Sequence, residues 1–386
     1  MKEIYFNHAG TSWPKPEVVV TAMHEAAQAA PSSWAARFES AHRTVADFFS
    51  VADPASILLT PGCTSALSVA ISDVFLGDKK RVLTSRWEHH ALHRPLLKLA
   101  SEGIILDYIP TFTSAEGSVQ TIDLDALEST LAVGDVGLIA ITAACNVTGA
   151  LLPFNQVIEM AHQHEVMVML DAAQLVGWQD LNLPQLGADL VAFGGHKGLQ
   201  GPWGIGGLYI GPNARMHCLS ANCSLPSTGG GSVRPRPGYC DVGSVDQIAL
   251  AALAAALWYL KQRDTAASLD AACQQISRIN VALQNLERVK VYSEAARTHE
   301  NLTDPATRSG LPCLAFEVEG VSSPVVAASL AKYGITIGSG LHCAPLAHET
   351  LGTSQNGLCR ISVGIAQREE DIEHALGILP EAICKL

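Results

Sequence analysis

No stretch of this sequence is apolar for long enough to cross a bilayer. The longest run, Ile248–Leu260, has 13 residues between Gln247 and Lys261 and reads as a buried helix. The opening MKEIYFNHAG has neither the apolar core nor the small-residue cleavage pattern of a secretion signal, so a cytoplasmic protein is expected. Cysteine pairing motifs are missing too. The 10 cysteines are scattered with no Cys-x-x-Cys, which points to reduced thiols rather than a disulfide framework or a zinc ribbon. Basic clusters are absent and the net charge is −12, which argues against nucleic acid or an anionic membrane as partner. An anionic ligand would need a local positive site. Charged residues are only 16% of the chain against 48% hydrophobic, a composition that excludes disorder and supplies a large core.

What is present is an alternation of strand-length apolar runs and helical stretches. Ser56–Thr60, Arg81–Thr84, Ile104–Ile109, Val136–Ala143, Val166–Leu170 and Leu190–Phe193 read as strands, with Gly206–Ile210 as a hairpin partner to the last. Strands separated by helices predict an α/β fold with a mostly parallel, seven-stranded type of sheet flanked by helices. The pattern changes after Gln247. A long Ala/Leu helix is followed by further helix to Leu286, then strands at Val289–Tyr292, Cys313–Val318 and Gly357–Val363, with a helix near Pro324–Tyr333. We therefore expect a large domain over residues 15–260 and a smaller α+β domain over 261–386, with residues 1–14 packing near the smaller one.

Ligands of open parallel sheets sit at the carboxyl ends of the strands. Asn146, Asp171 and the pair His196-Lys197 each follow an apolar run. Lys197 comes after LVAFGG, where two glycines allow close approach of a bulky group. A desolvated lysine there favours the free amine and suits Schiff-base formation with an aldehyde. A lysine that merely snorkels from a strand end is the plainer alternative for such a residue alone. Asp171 opens Asp-Ala-Ala-Gln, 26 positions before Lys197. A carboxylate there could pair with a protonated pyridine nitrogen, or simply cap a helix. Pro61-Gly62-Cys63-Thr64-Ser65 starts a helix after a strand, where backbone N–H groups and Thr64 Oγ can hold a phosphate, with His196 as a further donor. His89, in Glu88-His89-His90, could stack on an aromatic ring. His89 and His93 have the i, i+4 spacing of a metal pair, but no His-Glu-x-x-His pattern or third ligand accompanies them, so no metal is expected. No P-loop pattern occurs around Gly194–Gly198 or Gly204–Gly207.

With these residues in place the sequence resembles the cysteine desulfurase and selenocysteine lyase family, within the class V aminotransferase group. The markers are YFNHAGTSWPKP, PGCTSA, EHH, NVTG, DAAQ, FGGHKGLQGPWGIGGLYI, STGGG, GSGLHCAPL and CRISVG, and they span nearly the whole chain. The resemblance implies the fold of pyridoxal 5'-phosphate (PLP) enzymes of the aspartate aminotransferase type. It implies that Lys197 holds PLP, Asp171 pairs with the ring nitrogen, and Gln174 and Asn146 face the phenolic oxygen. His89 would stack on the ring, and Cys63, Thr64 and His196 would surround the phosphate. Ser244 matches a threonine that reaches the phosphate from the partner subunit, implying a homodimer with a shared active site. Arg360 would take the substrate carboxylate, with Asn146 and Ala9 beside it. Cys343, in a glycine-rich and therefore exposed or mobile loop, matches the cysteine that removes the substrate's sulfur as a persulfide. A buried structural thiol is the plainer alternative.

The departures bear on the reaction. Gly194 stands where the family usually has Ser, Gly338 where an Arg commonly lies five residues before the cysteine, and Gly243-Ser244-Val245-Asp246 where it has Gly-Thr-Pro-Asn. The expected activity is desulfuration of L-cysteine to L-alanine, with a sulfur-acceptor protein as a further partner. The alternatives are a PLP-dependent C–S lyase, a selenocysteine lyase or another class V enzyme, and a sulfur carrier or scaffold whose site has decayed.

Overall fold

The computed structural model describes residues 3–113, 120–217, 244–292 and 310–386. Its centre is a seven-stranded sheet. In spatial order the strands are Ile57–Thr60, Gly206–Ile210, Leu190–Gly194, Met167–Asp171, Val136–Thr142, Arg81–Thr84 and Ile105–Tyr108. Gly206–Ile210 runs antiparallel to both neighbours, and the remaining pairings are parallel. Every residue of the three strands Val136–Thr142, Met167–Asp171 and Leu190–Gly194 is buried. That is why their sequences read as unbroken apolar runs, because helices cover both faces of a parallel sheet. Register keeps their carboxyl ends level: Thr142 lies opposite Asp171, and Asp171 opposite Ala192.

The apolar run after Asp246 is helix Gln247–Lys261. It packs against helices Glu17–Ala27 and Trp34–Phe48. Asp246 starts it as a cap, accepting the Ala249 N–H at 2.9 Å, an interaction worth about 1 kcal/mol. One departure from the family pattern is thereby a helix start. Among the described residues no helix is long and apolar enough to cross a membrane.

A second sheet has the order Ile4–Phe6, Ile335–Gly340, Leu358–Ser362, Cys313–Val318, Val289–Tyr292. The sequence reading missed two of these strands. Ile4–Phe6 is three residues long and pairs, in parallel, with a strand over 300 positions away, Ile335–Ile337. Ile335–Gly340 contains two glycines, which weaken any strand signal. Helices Thr265–Gln284 and Ser323–Ala331 pack on this sheet, and Glu369–Cys384 packs against both helices. We propose the boundary between the two bodies at the turn after Lys261, with the N-terminal strand counted in the smaller one.

Two glycines fix the approach to Lys197. A Cβ on Gly198 would sit 2.2 Å from the Val176 carbonyl oxygen, and one on Gly177 2.3 Å from the Gly198 carbonyl carbon. Gly177 also has φ of +87°, a conformation that favours glycine. Gly198→Ala is expected to cost about 1–3 kcal/mol through overpacking. Urea denaturation measures it, and an unchanged midpoint with an unchanged slope would refute it.

Candidate active site

The strand ends enclose a cavity of ≈ 440 Å³ where the two sheets meet. Ala9, Cys63, Thr64, His89, Asn146, Asp171, Gln174, His196, Lys197, Cys343 and Arg360 all line it. These are the candidate residues of the sequence with one exception. Ser244 is exposed and does not line the cavity of its own chain. Its expected target is the site of a partner subunit. The STGGG segment and Gly243 lie outside the described residues.

Lys197 follows the strand Leu190–Gly194 and projects from the floor. Among the described residues no hydrogen bond or ion pair holds its ammonium. Burial pulls its pKa below the ordinary lysine value, against the opposing pull of Asp171. Asp171 ends the neighbouring strand and is 3% exposed. Burial raises its pKa, while the Ala173 N–H, Lys197 and the Cys63 thiol act in the other direction. Ala173 donates to Asp171 Oδ1 at 2.9 Å.

His89 caps helix His90–Ser101. Its Nδ1 accepts the Ala91 N–H at 3.0 Å, which leaves the proton on Nε2. Burial lowers its pKa to about 4, so the ring is neutral and apolar enough to lie against a flat ligand. His93, one turn on, bonds the Tyr108 hydroxyl at 2.7 Å. That contact occupies the His93 Nε2 position. No cluster of metal-ligating side chains occurs among the described residues.

The helix Cys63–Asp73 begins at the cavity behind Gly62, with no side chain capping its first N–H groups. The Cys63 thiol, expected beside a phosphate, instead lies 3.4 Å from Asp171 Oδ1. His196 Nδ1 is buried without a partner, and burial holds its pKa near 4. Trp203, 64% exposed, stacks on the His196 ring at 6.1 Å. A Cβ on Gly194 would meet Cys63 and His196 at ordinary distances of 3.5–3.8 Å, so the missing serine leaves space rather than strain.

Arg360 is 5% exposed and firmly held. Its guanidinium donates to the Asn146 carbonyl at 2.7 Å and to Asn7 Oδ1 at 2.8 Å. Nε has no partner. Asn7 was missed as a functional position although it sits within NHAG; the signal was present in the motif, but nothing local links it to residue 360. Asn146 Nδ2 donates to the His342 carbonyl at 2.7 Å, and Gln174 Nε2 to the Ala9 carbonyl at 3.0 Å. Both amides thus spend N–H groups on main chain, and Asn146 Oδ1 stays buried and unpartnered. A Cβ on Gly338 would come within 2.9 Å of Asn7 Oδ1 and 3.5 Å of Arg360 Nε, so this glycine clears room for that pair.

Cys343 is exposed at the rim. His342 and Cys343 have φ of +48° and +57°, an unusual left-handed pair of non-glycine residues at the cavity rim. The turn is tied down. His90 N donates to the Cys343 carbonyl at 2.7 Å, and His342 Nε2 donates to the Leu358 carbonyl at 2.9 Å.

The class-V aminotransferase family matches residues 4–375. The chain belongs to the class-V aminotransferase family. This family consists of PLP enzymes, and the fold of the chain is theirs. A probable cysteine desulfurase of Vibrio cholerae is 27% identical over 98% of this chain and 93% of that protein. A cysteine desulfurase of Klebsiella pneumoniae is 27% identical over 95% and 90%. Among solved structures, the apo cysteine desulfurase of Thermococcus onnurineus has a TM-score of 0.85 and 25% identity, covering 100% of this chain and 95% of its own.

Proposed function

We propose that this class-V enzyme is a PLP-dependent cysteine desulfurase that converts L-cysteine to L-alanine and leaves a persulfide on Cys343. The observation that carries it is one cavity lined by a depressed lysine, a buried aspartate, a held arginine and an exposed thiol. The comparisons support the same reading. The cavity also fits the cofactor chemically. His196 Nδ1 lines it, buried and unpartnered, and as an N–H would be satisfied by a phosphate oxygen, while the unpartnered Arg360 Nε is left for a substrate carboxylate.

PLP, when bound, supplies an aldehyde for an amine and a ring that accepts electrons. Lys197 would hold it and, once released by substrate, move the α-proton. Asp171 would keep a proton on the ring nitrogen, and His89 would cover the ring face. The first N–H groups of helix Cys63–Asp73, Thr64 Oγ and His196 would hold the phosphate. Arg360 would bind the substrate carboxylate through its planar fork. The Cys343 thiolate then attacks the substrate sulfur. The C–S bond would break with its electron pair left on the substrate β-carbon, the new S–S bond would make Cys343–S–SH, and a proton on that carbon together with return of the α-proton would complete alanine. A homodimer, Ser244 serving the partner's phosphate site, a sulfur-acceptor protein and a cytoplasmic location complete the proposal.

Incubation of PLP-loaded protein with L-cysteine, followed by amino-acid analysis, tests it. Alanine is the expected product. Pyruvate with free sulfide would replace the reading by a C–S lyase. Arg360→Lys is expected to raise KM for cysteine about tenfold or more with a smaller change in kcat, because a lysine loses the two-pronged carboxylate bond. An unchanged KM would remove Arg360 from substrate binding.

A further inference from the structure

The thiol of Cys63 faces the wrong group for a phosphate ligand. It sits at the first position of helix Cys63–Asp73, so its main-chain N–H belongs to the anion-binding start of that helix. Its side chain turns toward Asp171 and lies 3.4 Å from Oδ1. The same oxygen accepts the Ala173 N–H at 2.9 Å. Among the described residues no hydrogen bond falls on Oδ2. Two donors on one oxygen fix the carboxylate plane and leave the other oxygen as the available acceptor.

We propose that Cys63 is a positioning residue for Asp171: its S–H, with the Ala173 amide, occupies Oδ1 and presents Oδ2 to the ring nitrogen of the cofactor. The proposal rests on the PLP reading given above. Burial and the neighbouring carboxylate keep Cys63 protonated, so it stays a donor. Serine and alanine are both smaller than cysteine, so neither introduces a clash at position 63. A thiol is a weak donor, yet a carboxylate acceptor strengthens the bond.

Three proteins decide it: wild type, Cys63→Ala and Cys63→Ser. Infrared spectroscopy of cofactor-free wild type is expected to show a lowered S–H stretch that vanishes in both variants. Titration with ring-15N PLP then reports on the other end of the contact. In Cys63→Ala the dissociation constant is expected to rise about fivefold, and the ring 15N signal to move toward the unprotonated form. Cys63→Ser, which keeps a donor on the same stem, is expected to recover most of both changes. A merely space-filling role would leave the 15N signal in place and would make serine no better than alanine. Wild-type protein that gains no PLP absorbance overturns the functional reading and this proposal with it. Wild type that binds PLP while Cys63→Ala matches it in affinity and 15N signal overturns this proposal alone.

Discussion

Lys197→Ala protein turns over L-cysteine at least about 10³-fold more slowly than wild type and lacks the visible absorbance of covalently held PLP. The size of the effect follows from the cavity wall. Lys197 is the lysine among its described lining residues, and Arg360, the other strong cation there, is bound to Asn146 and Asn7. Among the described lining residues no second amine is placed to take over capture of the aldehyde or transfer of the α-proton. Its lowered pKa also matters, because the amine must be unprotonated to react. The check is borohydride reduction of the wild-type enzyme and peptide mapping. A pyridoxyl group is expected on the peptide containing position 197. Finding it elsewhere, or finding wild-type rates in the alanine variant, would sink the assignment.

Cys343→Ala separates cofactor from sulfur chemistry. The variant keeps the spectrum of bound PLP, because position 343 is at the rim and its loop is tied through main-chain atoms at His342 and Cys343. Alanine release from cysteine falls at least about 10²-fold, because the nucleophile that accepts the sulfur is gone. Mass spectrometry of wild type quenched during turnover is expected to find one added sulfur on the peptide bearing Cys343. Full alanine formation by the variant, or added sulfur on another cysteine, would move the role elsewhere.

The site was legible wherever a polar residue ends an apolar run. Asn146, Asp171 and Lys197 were visible because central parallel strands are buried on both faces, so the polar residues at or just beyond the end of each run mark the ligand side of the sheet. The alternation of strands and helices exposed the large sheet for the same reason. The smaller sheet was harder to read. Its strands Ile4–Phe6 and Ile335–Gly340 are short or glycine-containing, and their pairing is a property of two distant segments. Side-chain direction was also hidden. PGCTSA marks a helix start, but only packing sends the Cys63 thiol toward Asp171. The His89/His93 spacing allowed a metal pair, and Tyr108 on a separate strand decides what His93 does. Asn7 was quoted within a motif without a role, since its partner Arg360 stands 353 positions later.

The N-terminal segment joins more of this site than its length suggests. The His196 carbonyl, one peptide before the lysine, receives Thr11 Oγ1, Ser12 N, Ser12 Oγ and Lys15 Nζ, at 2.9–3.1 Å. In the same segment Ala9 N donates to Ser362 Oγ and Asn7 Oδ1 accepts from Arg360. The bonds of Asn7 and Ala9 therefore close loops of 353 residues, whereas those of Thr11, Ser12 and Lys15 close much shorter ones. Without residues 335–386 the seven-stranded sheet and the His196 carbonyl would remain, but Ile4–Phe6 would lose its strand partner and Asn7 and Ala9 their bonds to Arg360 and Ser362. Seating Arg360 in the cavity therefore depends on one of the longest-range contacts of the fold, the kind that is slow to form.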